Sequence, residues 1–220
     1  MHAIYNFVSG PLVWVAFIVF ILGLAYRLYV LLSKTKQKEP FVFEFWSWKF
    51  ALNSIFRWWI LPFGSVNSRQ QPVMTIVTWL FHVCLLITPL FLMAHIILFQ
   101  EAWGVSWWTL PDTVADVMTW IVLAGCLYFL YRRLFLPQVK YVTYASDFIL
   151  LAIVAAPFLT GFLAYWQIFN YQWMIILHIL SGEIMLVAIP FTRLSHMVLA
   201  FYVRGYTASE FGAVRMTKDY

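Results

Sequence analysis

The sequence predicts an all-α fold, a polytopic membrane helical bundle with five transmembrane helices and one further helix on a membrane surface. Three observations predict it. The 220 residues are 64% hydrophobic and only 10% charged, a balance far outside that of soluble globular domains. Five apolar stretches are each long enough to cross about 30 Å of hydrocarbon as a helix. The 14 Lys and Arg fall in alternate loops or at the span ends beside them. Helix is the required conformation, because a chain in hydrocarbon must satisfy each backbone N–H and C=O within its own segment.

The expected spans are residues 11–32, 73–99, 114–134, 144–166 and 171–202, within a single domain covering 1–220. The N-terminal stretch MHAIYNFVSGPLVW has no basic region, and no small-residue cleavage pattern follows the first apolar run. It reads as a retained span, not a signal peptide. The last stretch is too long for one straight crossing, so its end is expected to project beyond the membrane. Residues 41–63, FVFEFWSWKFALNSIFRWWILPF, are aromatic but interrupted by Glu44, Lys49, Asn53 and Arg57. Amphipathic segments of this kind lie in the interface. The helix could serve as an anchoring rim, as a docking platform, or as both.

Orientation follows from charge. Arg27, Lys34, Lys36, Lys38, Lys49, Arg57 and Arg69 lie at the end of span one or before span two. Arg132, Arg133 and Lys140 lie between spans three and four, and Arg193, Arg204, Arg215 and Lys218 lie at the C-terminal end. The two opposite loops, residues 100–113 and 167–170, hold neither Lys nor Arg. The positive-inside rule places the N-terminus outside and the C-terminus in the cytoplasm, so a bacterial inner membrane is the expected location. The net charge of +5 then belongs to the cytoplasmic loops, and no nucleic-acid partner is expected. Cys84 and Cys126 both lie in apolar segments and read as small hydrophobes. No Cys-x-x-Cys-His occurs, which excludes c-type haem attachment, and two thiols are too few for an iron–sulfur cluster.

Four of the five histidines sit at membrane depth: His82 and His95 in the second span, His178 and His196 in the fifth. Ionisable residues in hydrocarbon are costly and point to function. The two spans run in opposite directions, so His82 is level with His196 on the inner side and His95 with His178 on the outer side. Two level imidazole pairs match the axial ligands of two stacked haems b. Eighteen steps return to the same helix face for His178 and His196, but thirteen leave His82 and His95 roughly 140° apart on an ideal helix. Pro89 lies between that pair and Pro190 between the other, and either can kink or unwind its helix. Gly182, one turn after His178, leaves room for a flat macrocycle. Arg193, one turn before His196, is placed for a propionate or for ordinary snorkelling. His2 carries no special expectation. The alternative for the four histidines is polar glue between helices. A rival of another class is an ion or proton transporter, with Glu183 and Asp147 as relays.

The stretch LHILSGEIMLVAIPFTRLSH, residues 177–196, resembles the last membrane helix of the respiratory nitrate reductase gamma subunit. YRRLFLPQVKYVTYASDFILL, residues 131–151, resembles that family's basic loop and fourth helix. Phe81-His82 and Ala94-His95 match its second helix in type. The His82–His95 interval is longer than in the nitrate reductase branch. The lysine of that branch's third helix has no counterpart in GVSWWTLPDTVAD. In these respects the chain is more similar to the cytochrome b subunits of heterodisulfide-reductase-like membrane complexes of sulfate reducers, of Tmc or Dsr type. The resemblance implies a di-haem cytochrome b that moves electrons between the quinone pool or a periplasmic multihaem cytochrome c and a cytoplasmic iron–sulfur subunit, with menaquinone as the implied quinone. The alternative within the resemblance is the quinol-oxidising gamma subunit of a nitrate-reductase-type enzyme. The resemblance also implies a quinone near the outer haem. Asp112, Asp116 and Glu183 are the carboxylates placed to take its protons, although Asp112 could simply cap the third span after Pro111.

Overall fold

The computed structural model describes residues 2–217. Lys218, expected on the basic face, lies outside them. The described residues are helical wherever they are regular, without a strand among them. Five helices are long and apolar enough to cross a membrane: His2–Lys38, Pro72–Phe91, Asp112–Phe135, Ala145–Tyr165 and Tyr171–Phe191. The protein is a multi-pass helical membrane protein. Leu22, Leu90, Leu127, Ile149 and Ile184, one from each span, are more than half exposed. Such a surface has lipid tails as its natural solvent.

Several expected boundaries shift. The first helix begins at His2 and passes Pro11 through a π-helical stretch, Val8–Leu12, so the helix does not start at the proline. The second span does not run unbroken to residue 99. It stops at Phe91 and resumes as Met93–Trp103. The fifth does not run unbroken to residue 202. It stops at Phe191, and a 3-10 turn, Arg193–Ser195, leads into His196–Ala208. The interfacial segment is two helices, Phe41–Glu44 and Trp48–Trp59.

The described residues fall into two compact units. One comprises residues up to Ser9 with Val77–Gly182, the other Gly10–Ile76 with the residues from Glu183 onward. In the first unit, Phe81 packs edge-on against Phe129 at 5.1 Å, over Gly125, where a Cβ would meet the Phe81 ring at 2.9 Å. Trp120 and Phe162 join the third and fourth spans at 4.9 Å. Asp147 opens the fourth span. Its Oδ2 accepts from the Tyr144 N–H at 2.8 Å and lies 3.4 Å from Arg133. The carboxylate considered as a transporter relay is thus a helix cap held by a basic neighbour.

In the second unit, Trp48–Trp59 packs on His196–Ala208. Trp46 stacks on Tyr202 at 5.7 Å, Trp59 meets Phe201 at 4.5 Å, and the Arg204 guanidinium sits 4.3 Å from the Trp58 ring centre. The Ser47 N–H donates to Ser209 Oγ at 2.9 Å. Ala51 and Ser54 are buried while Trp48, Leu52 and Phe56, four residues apart, are exposed. The helix therefore has one packed face and one open apolar stripe, the pattern of an interfacial helix.

Gly205 permits this packing, because a Cβ there would lie 2.6 Å from Trp46. Gly205→Val is expected to destabilise the protein by about 1–3 kcal/mol through overpacking. Thermal unfolding in detergent measures this, and a Trp46→Ala background should recover part of the loss.

Candidate functional site: four imidazoles anchored on backbone carbonyls

The four expected ligands use Nδ1 in the same way, with His82 and His178 inside membrane-length helices and His95 and His196 on the helices that follow two of these. His82 Nδ1 lies 2.7 Å from the Thr78 carbonyl oxygen, His95 Nδ1 2.8 Å from that of Pro89, His178 Nδ1 2.9 Å from that of Pro157, and His196 Nδ1 2.8 Å from that of Arg193. A carbonyl oxygen can only accept. Nδ1 must therefore carry the proton, and in the neutral ring Nε2 keeps its lone pair. Metal-ligating histidines usually donate their other ring N–H to a carbonyl or carboxylate in this way.

Local chain geometry produces these anchors. Leu92 is extended, with φ −71° and ψ 129°. Its N–H still makes the helical bond to Thr88 O at 3.0 Å, but the last three carbonyls of Pro72–Phe91 need other donors. All three are met: His95 Nδ1 donates to Pro89 O, Trp107 Nε1 to Leu90 O, and the Leu110 N–H to Phe91 O, at 2.8–2.9 Å. The interruption falls three residues after Pro89, not at it, because the following segment supplies the donors. It also removes the premise of the 140° offset, since His82 and His95 do not share one continuous helix.

Thr192 plays the corresponding part before His196. It is extended, with φ −124° and ψ −175°, and its Oγ1 accepts from the Leu194 N–H at 3.2 Å and donates to Ala188 O at 2.7 Å. The 3-10 turn then presents the Arg193 carbonyl to His196. The expectation that 18 helical steps align His178 with His196 is therefore corrected, because Thr192 breaks the helix. Arg27 donates to Ser195 Oγ at 3.3 Å beside the same turn.

In the first unit the structure brings His95 and His178 together. Their ring centres are 5.9 Å apart and their planes 19° from parallel. Gly161 makes room for His178, since a Cβ there would lie 2.8 Å from Cε1 and 2.9 Å from Nδ1. The sequence reading missed Gly161; a glycine in the middle of an apolar span was the available signal. A Cβ on Gly182 would meet nothing within 4 Å, so this position borders open space. Arg193 is exposed in the turn before His196.

The carboxylates have separate surroundings. Asp112 is the first residue of its helix and Pro111 occupies the cap position, so Asp112 does not cap it. It lies beside Tyr165 in one cavity instead. Asp112, Asp116, Tyr165 and Gly161 line a small cavity of about 50 Å³, so one face of that cavity is the glycine on which His178 packs. Glu183 is 6% exposed, and among the described residues neither of its carboxyl oxygens has a hydrogen-bond partner. Cys84 and Cys126 are buried free thiols.

Gly161→Val is expected to displace the His178 ring and cost about 1–3 kcal/mol. Gly182→Val, facing open space, should stay within about 0.5 kcal/mol in the cofactor-free protein. Unfolding midpoints of the two variants measure the contrast.

A protein of Nitratidesulfovibrio vulgaris strain Hildenborough is 35% identical to this chain over 218 residues, covering 96% of this chain and 95% of that protein. No family model and no solved structure matches the chain.

Proposed function

This chain belongs to one family with the Nitratidesulfovibrio vulgaris protein, and we propose that it is a di-haem cytochrome b, the membrane electron-transfer subunit of a respiratory complex. The observation that carries the reading is the facing of His95 and His178, whose ring centres lie 5.9 Å apart, with all four imidazoles held through Nδ1 on a backbone carbonyl.

The residues fit the group. Two imidazoles bound to one metal ion at about 2 Å per bond have ring centres about 6 Å apart, and the 5.9 Å between His95 and His178 suits a shared iron. Among the described residues no three His, Cys, Asp or Glu side chains group together as a metal site. A porphyrin brings four ligands of its own, so two histidines suffice. Open space at Gly182 suits a flat macrocycle nearby. His95 and His178 would hold one haem. His82 and His196, paired by sequence order alone, would hold the second. Bound haem supplies one-electron redox chemistry. The chain's own residues fix the imidazole tautomer, hold the rings and exclude water.

The proposed location is the bacterial inner membrane, N-terminus periplasmic and C-terminus cytoplasmic. The proposed partners are a cytoplasmic iron–sulfur subunit on the basic face and, on the other side, quinone or a periplasmic multihaem cytochrome c. Asp112, Tyr165 and Asp116 favour quinone. They sit in one cavity with Gly161, the glycine beneath His178, where a carboxylate can take the protons that a quinol releases. The exposed stripe Trp48, Leu52 and Phe56 with Lys49 offers an apolar and basic surface for the partner.

Alanine substitution tests the ligand assignment. His95→Ala and His178→Ala should remove the same haem from the reduced-minus-oxidised spectrum, and His82→Ala and His196→Ala the other. Loss of one and the same haem from His82→Ala and His178→Ala would refute the pairing. With both haems retained, Asp112→Asn or Asp116→Asn should slow haem reduction by a menaquinol analogue at least tenfold. Unchanged rates in both would remove these carboxylates from quinol chemistry.

A further inference from the structure

The end of the first span carries a groove that the cytochrome reading does not use. Its volume is about 400 Å³, within the range of small-ligand clefts. Arg27, Leu31, Lys34 and Lys38 line it from one helix. Their spacing of four, three and four residues puts them on one helical face. Leu199, from the helix that follows His196, closes the apolar side with Val30. Glu39 also lines the groove, so the lining side chains carry three positive charges and one negative. Among the described residues, Arg27, Lys34 and Lys38 have no carboxylate within ion-pair distance.

Position decides what such a groove can meet. The regular helix Val13–Lys38 has 26 residues, about 39 Å at helical rise, against roughly 30 Å of hydrocarbon. Lysines avoid the hydrocarbon, so the end bearing Lys34 and Lys38 stands at headgroup level, while Val30, Leu31 and Leu199 face acyl chains. Arg27 is held in place by its bond to Ser195 Oγ, and its planar fork suits phosphate oxygens. An anion at this groove must therefore have a polar head and an apolar body.

We propose that the groove binds the phosphodiester headgroup of an anionic glycerophospholipid, with Arg27, Lys34 and Lys38 on the phosphate and Val30, Leu31 and Leu199 along the chains. This does not depend on haem.

The test is thermal unfolding of the full chain in a neutral maltoside detergent, titrated with dioleoylphosphatidylglycerol, dioleoylphosphatidylcholine or sodium phosphate. A ligand of the folded state raises the midpoint. Phosphatidylglycerol should raise it saturably, and the other two should not. Arg27→Gln/Lys34→Gln/Lys38→Gln should raise the half-saturating lipid concentration at least tenfold. Lys34→Gln/Lys38→Gln, confined to the solvated helix end, should raise it at least threefold if the triple variant folds poorly. Lys36→Gln, on the opposite face of the same helix, should leave it unchanged. An equal response to phosphatidylcholine, or none to any lipid, would overturn the proposal. So would an equal response to sodium phosphate, which would make this a free-anion site, or an equal loss in Lys36→Gln, which would reduce the effect to diffuse charge.

Discussion

A backbone carbonyl left without its helical donor inside hydrocarbon must find another, since no water is there to supply one. Much of this protein's local structure answers that requirement. Leu92 ends a helix at membrane depth, and His95, Trp107 and Leu110 supply donors to three of the freed carbonyls. Thr192 ends another, and its own hydroxyl together with His196 Nδ1 serve the turn that follows. His95 and His196 are thus fixed by the same bonds that make the helix breaks tolerable. The breaks and the ring orientations form one device.

The proposed function rests on the other ring nitrogen. An imidazole whose Nδ1–H is committed to a carbonyl has one remaining capability, a directed lone pair on Nε2. The facing His95 and His178 rings are expensive as structural glue alone, because glue needs partners on both nitrogens to repay desolvation. The proposed haems supply those partners. His178 shows how closely the scaffold is shaped around one ring. Its ring reaches the Pro157 carbonyl only because Gly161 has no side chain in its path.

Spans, their number and the membrane setting were legible in the sequence, because an apolar run of fixed length is a direct physical requirement of the bilayer. The histidines were legible for the complementary reason, since they violate that requirement. Helix continuity was not. Pro89 and Pro190 were visible as breakers, yet the chain stays helical past both and opens at Leu92 and Thr192. Those positions are set by where donors such as Trp107 and Leu110 arrive, which is tertiary information. The place of Asp112 beside Tyr165 was hidden for a similar reason, because the two lie 53 positions apart in the sequence. Asp147 was visible as a buried charge, but its pairing with Arg133 and the Tyr144 N–H depends on the turn between spans three and four.

The central claim is that the four Nε2 atoms bind two irons. Haem content of the purified chain by pyridine haemochrome, with low-temperature electron paramagnetic resonance of the oxidised protein, tests it most directly. The account requires two haems b per chain, both low-spin with two imidazole ligands. A preparation with all four histidines intact that binds no haem, or whose iron is high-spin with an open axial position, would contradict it.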